Sequence, residues 1–220
     1  MSKSALIAGS TGLIGSALLQ LLLEENHYEH VISISRRSTG VNHPKLKEVI
    51  TSFDRLSNVK EDLIADDVFI CLGSTMKKAG SKDAFEKYDY AYPLEIATIA
   101  LENGAQQVSI ITALGANSES PFFYNRVKGD LEKAMASLDY KSVNMLRPSL
   151  LLGERDENRM TENIAQSFYK ALGWAFVGPI SKYKAVEGSS VARAMLQVAK
   201  ENKNGVNIVD SNTIKQKAQI

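Results

Sequence analysis

The chain has 220 residues, with 26 Lys and Arg against 25 Asp and Glu and a formal net charge of +1. That length suffices for one sizeable core with a small appendage. The even charge balance gives no reason to expect a polyanionic partner: "SRRS" and "TMKKAGSK" are local basic clusters, and no long run marks a nucleic-acid tail. The single cysteine, Cys71, lies in the apolar run "DVFICLG". It excludes an internal disulfide, fits a reducing compartment and reads as a small core residue. The most apolar helical stretch, "SALLQLLLEE", is far shorter than the roughly 20 residues that span a bilayer. Residues 1–12 lack the apolar stretch and cleavage site of a secretory leader. A cytoplasmic protein without nucleic-acid or membrane partners is expected.

Short apolar runs alternate with helical patterns along the chain. Residues 4–9, "SALIAG", read as a strand ending in glycine, and 13–25 carry a helical stripe at positions 14, 17, 18, 21 and 22. Strands are predicted at 30–35 ("HVISIS"), 47–51 ("KEVIT") and 66–73 ("DDVFICLG"). Residues 92–105 form a helix, with Pro93 in its first turn and Gly104 as its stop. A strand at 107–112, a helix at 121–138 and a strand at 142–148 follow. Helices are predicted at 160–173 and 189–201, and a late strand at 205–210. Near-continuous apolar strands separated by helices are buried on both faces, which predicts a doubly wound α/β fold on a parallel sheet. One domain over 1–220 is expected, with a small substrate lobe within about 149–188.

The first strand–turn–helix holds "AGSTGLIG", with Gly9, Gly12 and Gly15 between strand and helix. Gly9 permits the tight turn, Gly12 a close approach of backbone to pyrophosphate, and Gly15 close helix packing. The unpaired N–H groups and dipole of the helix start favour an anion. The hydroxyls of Ser10 and Thr11 are further phosphate donors. The spacing is G-x-x-G-x-x-G rather than G-x-G-x-x-G. After the second strand come Arg36 and Arg37 and no acid, so NADP is favoured over NAD: guanidinium holds a 2′-phosphate where a carboxylate holds a ribose hydroxyl. In "FFYNRVKG", Tyr124 and Lys128 stand one helical turn apart.

These residues resemble the short-chain dehydrogenase/reductase superfamily, closest to its atypical or extended members and the Tat-interacting-protein-like branch. The stretches that carry the resemblance are "GSTGLIG", "CLGSTMKKAG", "ALGAN", "YNRVKGDLE", "LRPSLLLGERDENR" and "VARAML", from residue 9 to about 196. The resemblance implies a Rossmann fold whose dinucleotide loop is Gly9, Ser10, Thr11, Gly12, Leu13, Ile14 and Gly15. Arg36 and Arg37 would flank the adenosine ribose, and Leu72, Gly73, Ser74 and Thr75 would run along the cofactor. Asp54 is similar to an acid found near the adenine. Arg147, Pro148 and Gly153 resemble the Arg-Pro segment that passes the nicotinamide.

Tyr124 and Lys128 would be the Tyr-x-x-x-Lys pair, Lys128 also holding the cofactor ribose, with Thr112 as the catalytic hydroxyl. The family commonly carries two adjacent serines at that strand end; here Thr112 is followed by Ala113. Lys128 is expected to lower the phenol's pKa from its ordinary ~10, so that Tyr124 exchanges a proton with substrate oxygen. His27, His30 and His43 lack metal-ligand spacing, and no metal is expected. Tyr88, Tyr90 and Tyr92 read as packing residues, Trp174 and Phe176 as core of the small lobe, and Arg155 and Arg159 as solvated. The function expected is NADPH-dependent reduction of a small carbonyl compound or its reversal, in a chain that forms a homodimer. A nucleotide-sugar epimerase or dehydratase, and an NADP(H)-sensing regulator with little turnover, remain alternatives.

Overall fold

The computed structural model describes residues 2–152 and 185–219. In chain order the strands are β1 (Lys3–Ala8), β2 (Tyr28–Ser35), β3 (Leu46–Ile50), β4 (Asp67–Ile70), β5 (Gln107–Ile111), β6 (Ser142–Arg147), β7 (Leu151–Leu152), β8 (Val186–Glu187) and β9 (Gly205–Asp210). Seven of them make one sheet in the order β3-β2-β1-β4-β5-β6-β9, every neighbouring pair parallel. β7 and β8 form a separate parallel pair that brackets residues 153–185.

Burial on both faces follows from the pleat. Leu6, Ala8, Val68, Ile70, Val108, Ile110, Val143 and Met145 point to one apolar layer. Ala5, Ile7, Phe69, Ile111, Leu146 and Val209 point to the other. The first layer is closed by a 3₁₀ helix (Phe53–Asp62), α4 (Tyr92–Glu102) and α5 (Phe123–Ala136). The second is closed by α1 (Leu13–Glu24), α6 (Gly188–Glu201) and α7 (Ser211–Lys217).

Topology positions the site. From β1 the chain winds outward through β2 to β3, then crosses back to β4, which lies on β1's other side. The reversal leaves a crevice outside the carboxyl ends of β1 and β4, where such sheets bind ligands. Between β4 and α4 come α2 (Met76–Ala79), α3 (Lys82–Glu86) and a π-helical turn, Lys87–Ala91, that runs directly into α4.

The predicted strands and the helices at 13–25, 92–105, 121–138 and 189–201 are present with ends shifted by a few residues. The 3₁₀ helix, α2, α3, the π turn and α7 add to them. Four of these are held by side-chain caps: Ser52 Oγ accepts from the Asp54 amide, Thr75 Oγ1 from the Lys78 amide, Ser81 Oγ from the Ala84 amide, and Asp210 Oδ1 from the Thr213 amide. The predicted helix at 160–173, most of the small lobe, and Gly153, Arg155, Arg159, Trp174 and Phe176 lie outside the described residues. Among the described residues no helix is long and apolar enough to cross a membrane.

Candidate active site

The β1–α1 turn is shaped by steric necessity. Gly9 has φ +90°, and a Cβ there would stand 2.7 Å from the Cys71 carbonyl oxygen. A Cβ on Gly15 would stand 2.1 Å from Gly9's own carbonyl oxygen. Helix α1 therefore closes onto the turn, a contact more local than the helix–sheet packing expected of Gly15. Gly12 caps α1 with no side-chain partner, and the first turn holds no acid, so its amides have no side-chain acceptor.

Beside this turn lies a cleft of about 380 Å³ lined by Gly9, Thr11, Ser35, Arg36, Arg37, Phe53 and Leu72. The exposed guanidinium of Arg36 donates from Nη1 to the Tyr88 hydroxyl at 2.9 Å. Three members of the predicted loop do other work. Ser10 is buried, its hydroxyl pairs with that of Ser33 on β2 at 2.6 Å, and it is not among the residues that line the cleft. Ile14 is a core residue, and Leu13 lies against Gly188 at the start of α6. Thr11 is exposed within the cleft lining.

The second cluster stands at the carboxyl end of β4. Tyr124, half-buried in the first turn of α5, packs against Phe85 with ring centroids 5.5 Å apart. One turn on, the Lys128 ammonium meets a carboxylate not foreseen from the sequence: Nζ lies 2.8 Å from Asp89 Oδ1, with side chains 4% and 1% exposed. Asp89 Oδ2 accepts from the Ser74 amide at 2.8 Å. Gly73 adjoins the pair, since a Cβ there would sit 3.5 Å from Asp89 Oδ1 and 3.9 Å from Lys128 Nζ. Residues 71–73 thus join the ammonium to the glycine turn and its cleft. Ser74 gives its amide to Asp89 and Thr75 caps α2, accepting from the Lys78 amide.

These charges revise the electrostatics expected for Tyr124. Burial pushes its phenol up, the Lys128 ammonium pulls it down, and the Asp89 carboxylate pushes it up again. The outcome lies above the ordinary tyrosine value, not below it. Burial lowers Lys128, but Asp89, then Tyr124 and Glu132, outweigh it and hold the ammonium above its usual range.

Thr112 belongs to a third cluster. Its hydroxyl is buried, 2.6 Å from Glu132 Oε1 and 3.2 Å from the Leu146 carbonyl oxygen. Arg147 clamps the same carboxylate through Nε and Nη2. The single proton of that hydroxyl is committed to Glu132, which corrects the expectation that it meets substrate oxygen. Ala113 supplies no hydroxyl in its place. Buried Pro148 offers its carbonyl to the Leu114 amide at 3.0 Å. Asp54, placed by resemblance near an adenine, accepts from the Tyr92 hydroxyl at 2.7 Å. Tyr92 is core, as read from the sequence, whereas Tyr88 reaches the cleft through Arg36. Among the described residues no group of three or more His, Cys, Asp and Glu gathers as a metal site.

The family model described as the NAD dependent epimerase/dehydratase family matches residues 5–209. Protein HTATIP2 of Rattus norvegicus is 33% identical over 201 residues, 89% of this chain and 80% of that protein. Protein FMP52, mitochondrial, of Candida albicans is 30% identical over 208 residues, 92% of this chain and 90% of its own length. The structure of MoeE5 in complex with UDP-glucose and NAD superposes with a TM-score of 0.69 at 16% identity, over 98% of this chain and 81% of that one.

Proposed function

This chain belongs to the NAD dependent epimerase/dehydratase family of Rossmann-fold, short-chain-dehydrogenase-like proteins, and on that premise we propose that it is an NADP(H)-dependent oxidoreductase acting on a small carbonyl or alcohol. The observation that carries the reading is the cleft at the glycine turn, walled by Arg36 and Arg37 and joined through residues 71–73 to Lys128. The residues present suit a dinucleotide phosphate. The uncapped first turn of α1 takes the pyrophosphate, and two guanidinium groups, with no acid among the cleft's lining residues, take the 2′-phosphate. When bound, the nicotinamide supplies or accepts the hydride.

The protein's own part is positioning and proton transfer. A phenol held above its ordinary pKa stays protonated at neutral pH, the form that gives a proton from Tyr124 Oη to the oxygen of a carbonyl being reduced. Lys128, one turn along, stabilises the phenolate left behind and keeps its charge to do so. Thr112 works behind the site, with Glu132 and Arg147, to fix α5 against the ends of β5 and β6.

A panel of small aldehydes and ketones with NADPH tests the reading. Turnover that falls 100-fold or more in Tyr124→Phe supports it. A second reading, a cofactor-sensing regulator with little turnover, is favoured by the commitment of the Thr112 hydroxyl to Glu132 and by Ala113 beside it. Nucleotide binding without turnover on any member of the panel would select that reading. A nucleotide-sugar epimerase or dehydratase would instead interconvert sugar nucleotides with no net nucleotide oxidation. Homodimerisation is read out by light scattering. Cytoplasmic residence, which the lone Cys71 suits, is read out by cell fractionation against the mitochondrial naming of the FMP52 relative.

A further inference from the structure

The buried carboxylate of Asp89 is unexplained by the reading above. It is delivered by the π turn Lys87–Ala91, in which one residue more than an α-helical turn is accommodated. Its two oxygens are divided between elements: Oδ2 takes the Ser74 amide at the end of β4, and Oδ1 faces Lys128 Nζ on α5. We propose that Asp89 is a positioning residue for Lys128: anchored by the Ser74 amide, its carboxylate fixes the ammonium beside Gly73, the chain neighbour of cleft-lining Leu72. This rests on the pyridine-nucleotide reading, because it is there that the placing of the ammonium matters.

The physical argument is one of alternatives. A 4%-exposed ammonium without a counter-charge gives up its proton or swings toward solvent. Among the described residues the charged and titratable groups around it are Asp89 from the π turn, Tyr124 and Glu132 from α5 itself. Glu132 is already clamped by Arg147 of β6 and Thr112 of the β5 end. Asp89 is therefore the partner that holds Lys128. Asparagine at this position keeps the shape but has one acceptor for two donors, so it satisfies either Ser74 or Lys128, not both.

The test is Asp89→Asn followed by NMR of labelled lysine side chains, the Lys128 signal being identified by its loss in Lys128→Met. In the wild type Lys128 stays protonated beyond the ordinary lysine value of about 10.4. In Asp89→Asn its midpoint is expected to fall by about two pH units or more. NADPH affinity should then weaken as pH rises through the new midpoint, a dependence absent from the wild type. A Lys128 midpoint unchanged in the folded variant overturns the proposal. Where Asp89→Asn does not fold, thermal unfolding of Lys128→Met and of Asp89→Asn/Lys128→Met decides. The single change leaves a buried carboxylate uncompensated and should unfold at lower temperature than the double one; the reverse order overturns the assignment. Absence of nucleotide binding by the wild type would sink the functional reading alone, since the lysine titration is read without ligand.

Discussion

Replacing Gly15 by alanine isolates the steric basis of the β1–α1 turn. The added Cβ would lie 2.1 Å from the Gly9 carbonyl oxygen, 2.7 Å from its carbon and 3.1 Å from Ser10 Cα. An ordinary carbon–oxygen contact needs the turn to retreat by roughly 1 Å. Every atom struck is backbone, so no rotamer change relieves it. Gly9 in turn has no slack, being wedged at φ +90° against Cys71. We expect a loss of about 3 kcal/mol, the upper end of overpacking costs. For a chain of this size that is a fall in Tm of about 6–12 °C. Gly12→Ala is the internal control: its nearest contact, Gly9 O at 3.3 Å, asks for only a few tenths of an ångström. Differential scanning calorimetry of the two variants decides. A Gly15→Ala protein that melts with the wild type, or below which Gly12→Ala melts, refutes the assignment of Gly15 to close approach of helix and turn.

Two further changes probe the amino end of the sheet. Asp67 is fully buried on β4, held by Lys3 Nζ at 2.9 Å and the Tyr28 hydroxyl at 2.8 Å. Lys3→Met leaves the carboxylate with the hydroxyl alone and should cost about 3 kcal/mol in urea unfolding; a loss below about 1 kcal/mol contradicts the pairing. Burial raises Asp66, but the Ser4 amide and hydroxyl, with the Lys3 charge, pull it below the ordinary aspartate value. A depressed folded pKa contributes stability above the unfolded value of about 3.9, lost as pH falls through the folded one. Asp66→Asn should therefore be less stable than wild type at neutral pH, with the gap closing in strong acid. A gap independent of pH would assign the effect to something other than this carboxylate.

The strands and the glycine turn were legible because each follows from a local rule. An apolar run buried on both faces needs no partner to be recognised, and three glycines between strand and helix declare a turn that admits no side chain. The three clusters at the crevice were legible only in part. Spacing put Tyr124 and Lys128 on one side of a helix, but it says nothing of what approaches from elsewhere. Asp89 sits among aromatics in "EKYDYAY", four residues after buried Phe85 and three before buried Tyr92, so its inward phase was countable, but that a carboxylate there meets Lys128 of another helix was not. The run of tyrosines before a proline was the available signal of an irregular helix start. Thr112 shows the same limit: its place after β5 was readable, but the direction of its hydroxyl depends on Glu132, 20 residues on, and on Arg147 behind that. Ser10, turned to Ser33 rather than outward, is a third case.

The measurement that bears most directly on the account is calorimetric titration of the wild type and of Arg36→Ala/Arg37→Ala with NADPH and with NADH. Wild type should prefer NADPH, and the double variant should lose about 10- to 100-fold in NADPH affinity, the worth of hydrogen bonds to a charged phosphate, while NADH binding is little changed. Equal affinity of the wild type for the two nucleotides, or equal losses for both in the variant, would contradict it.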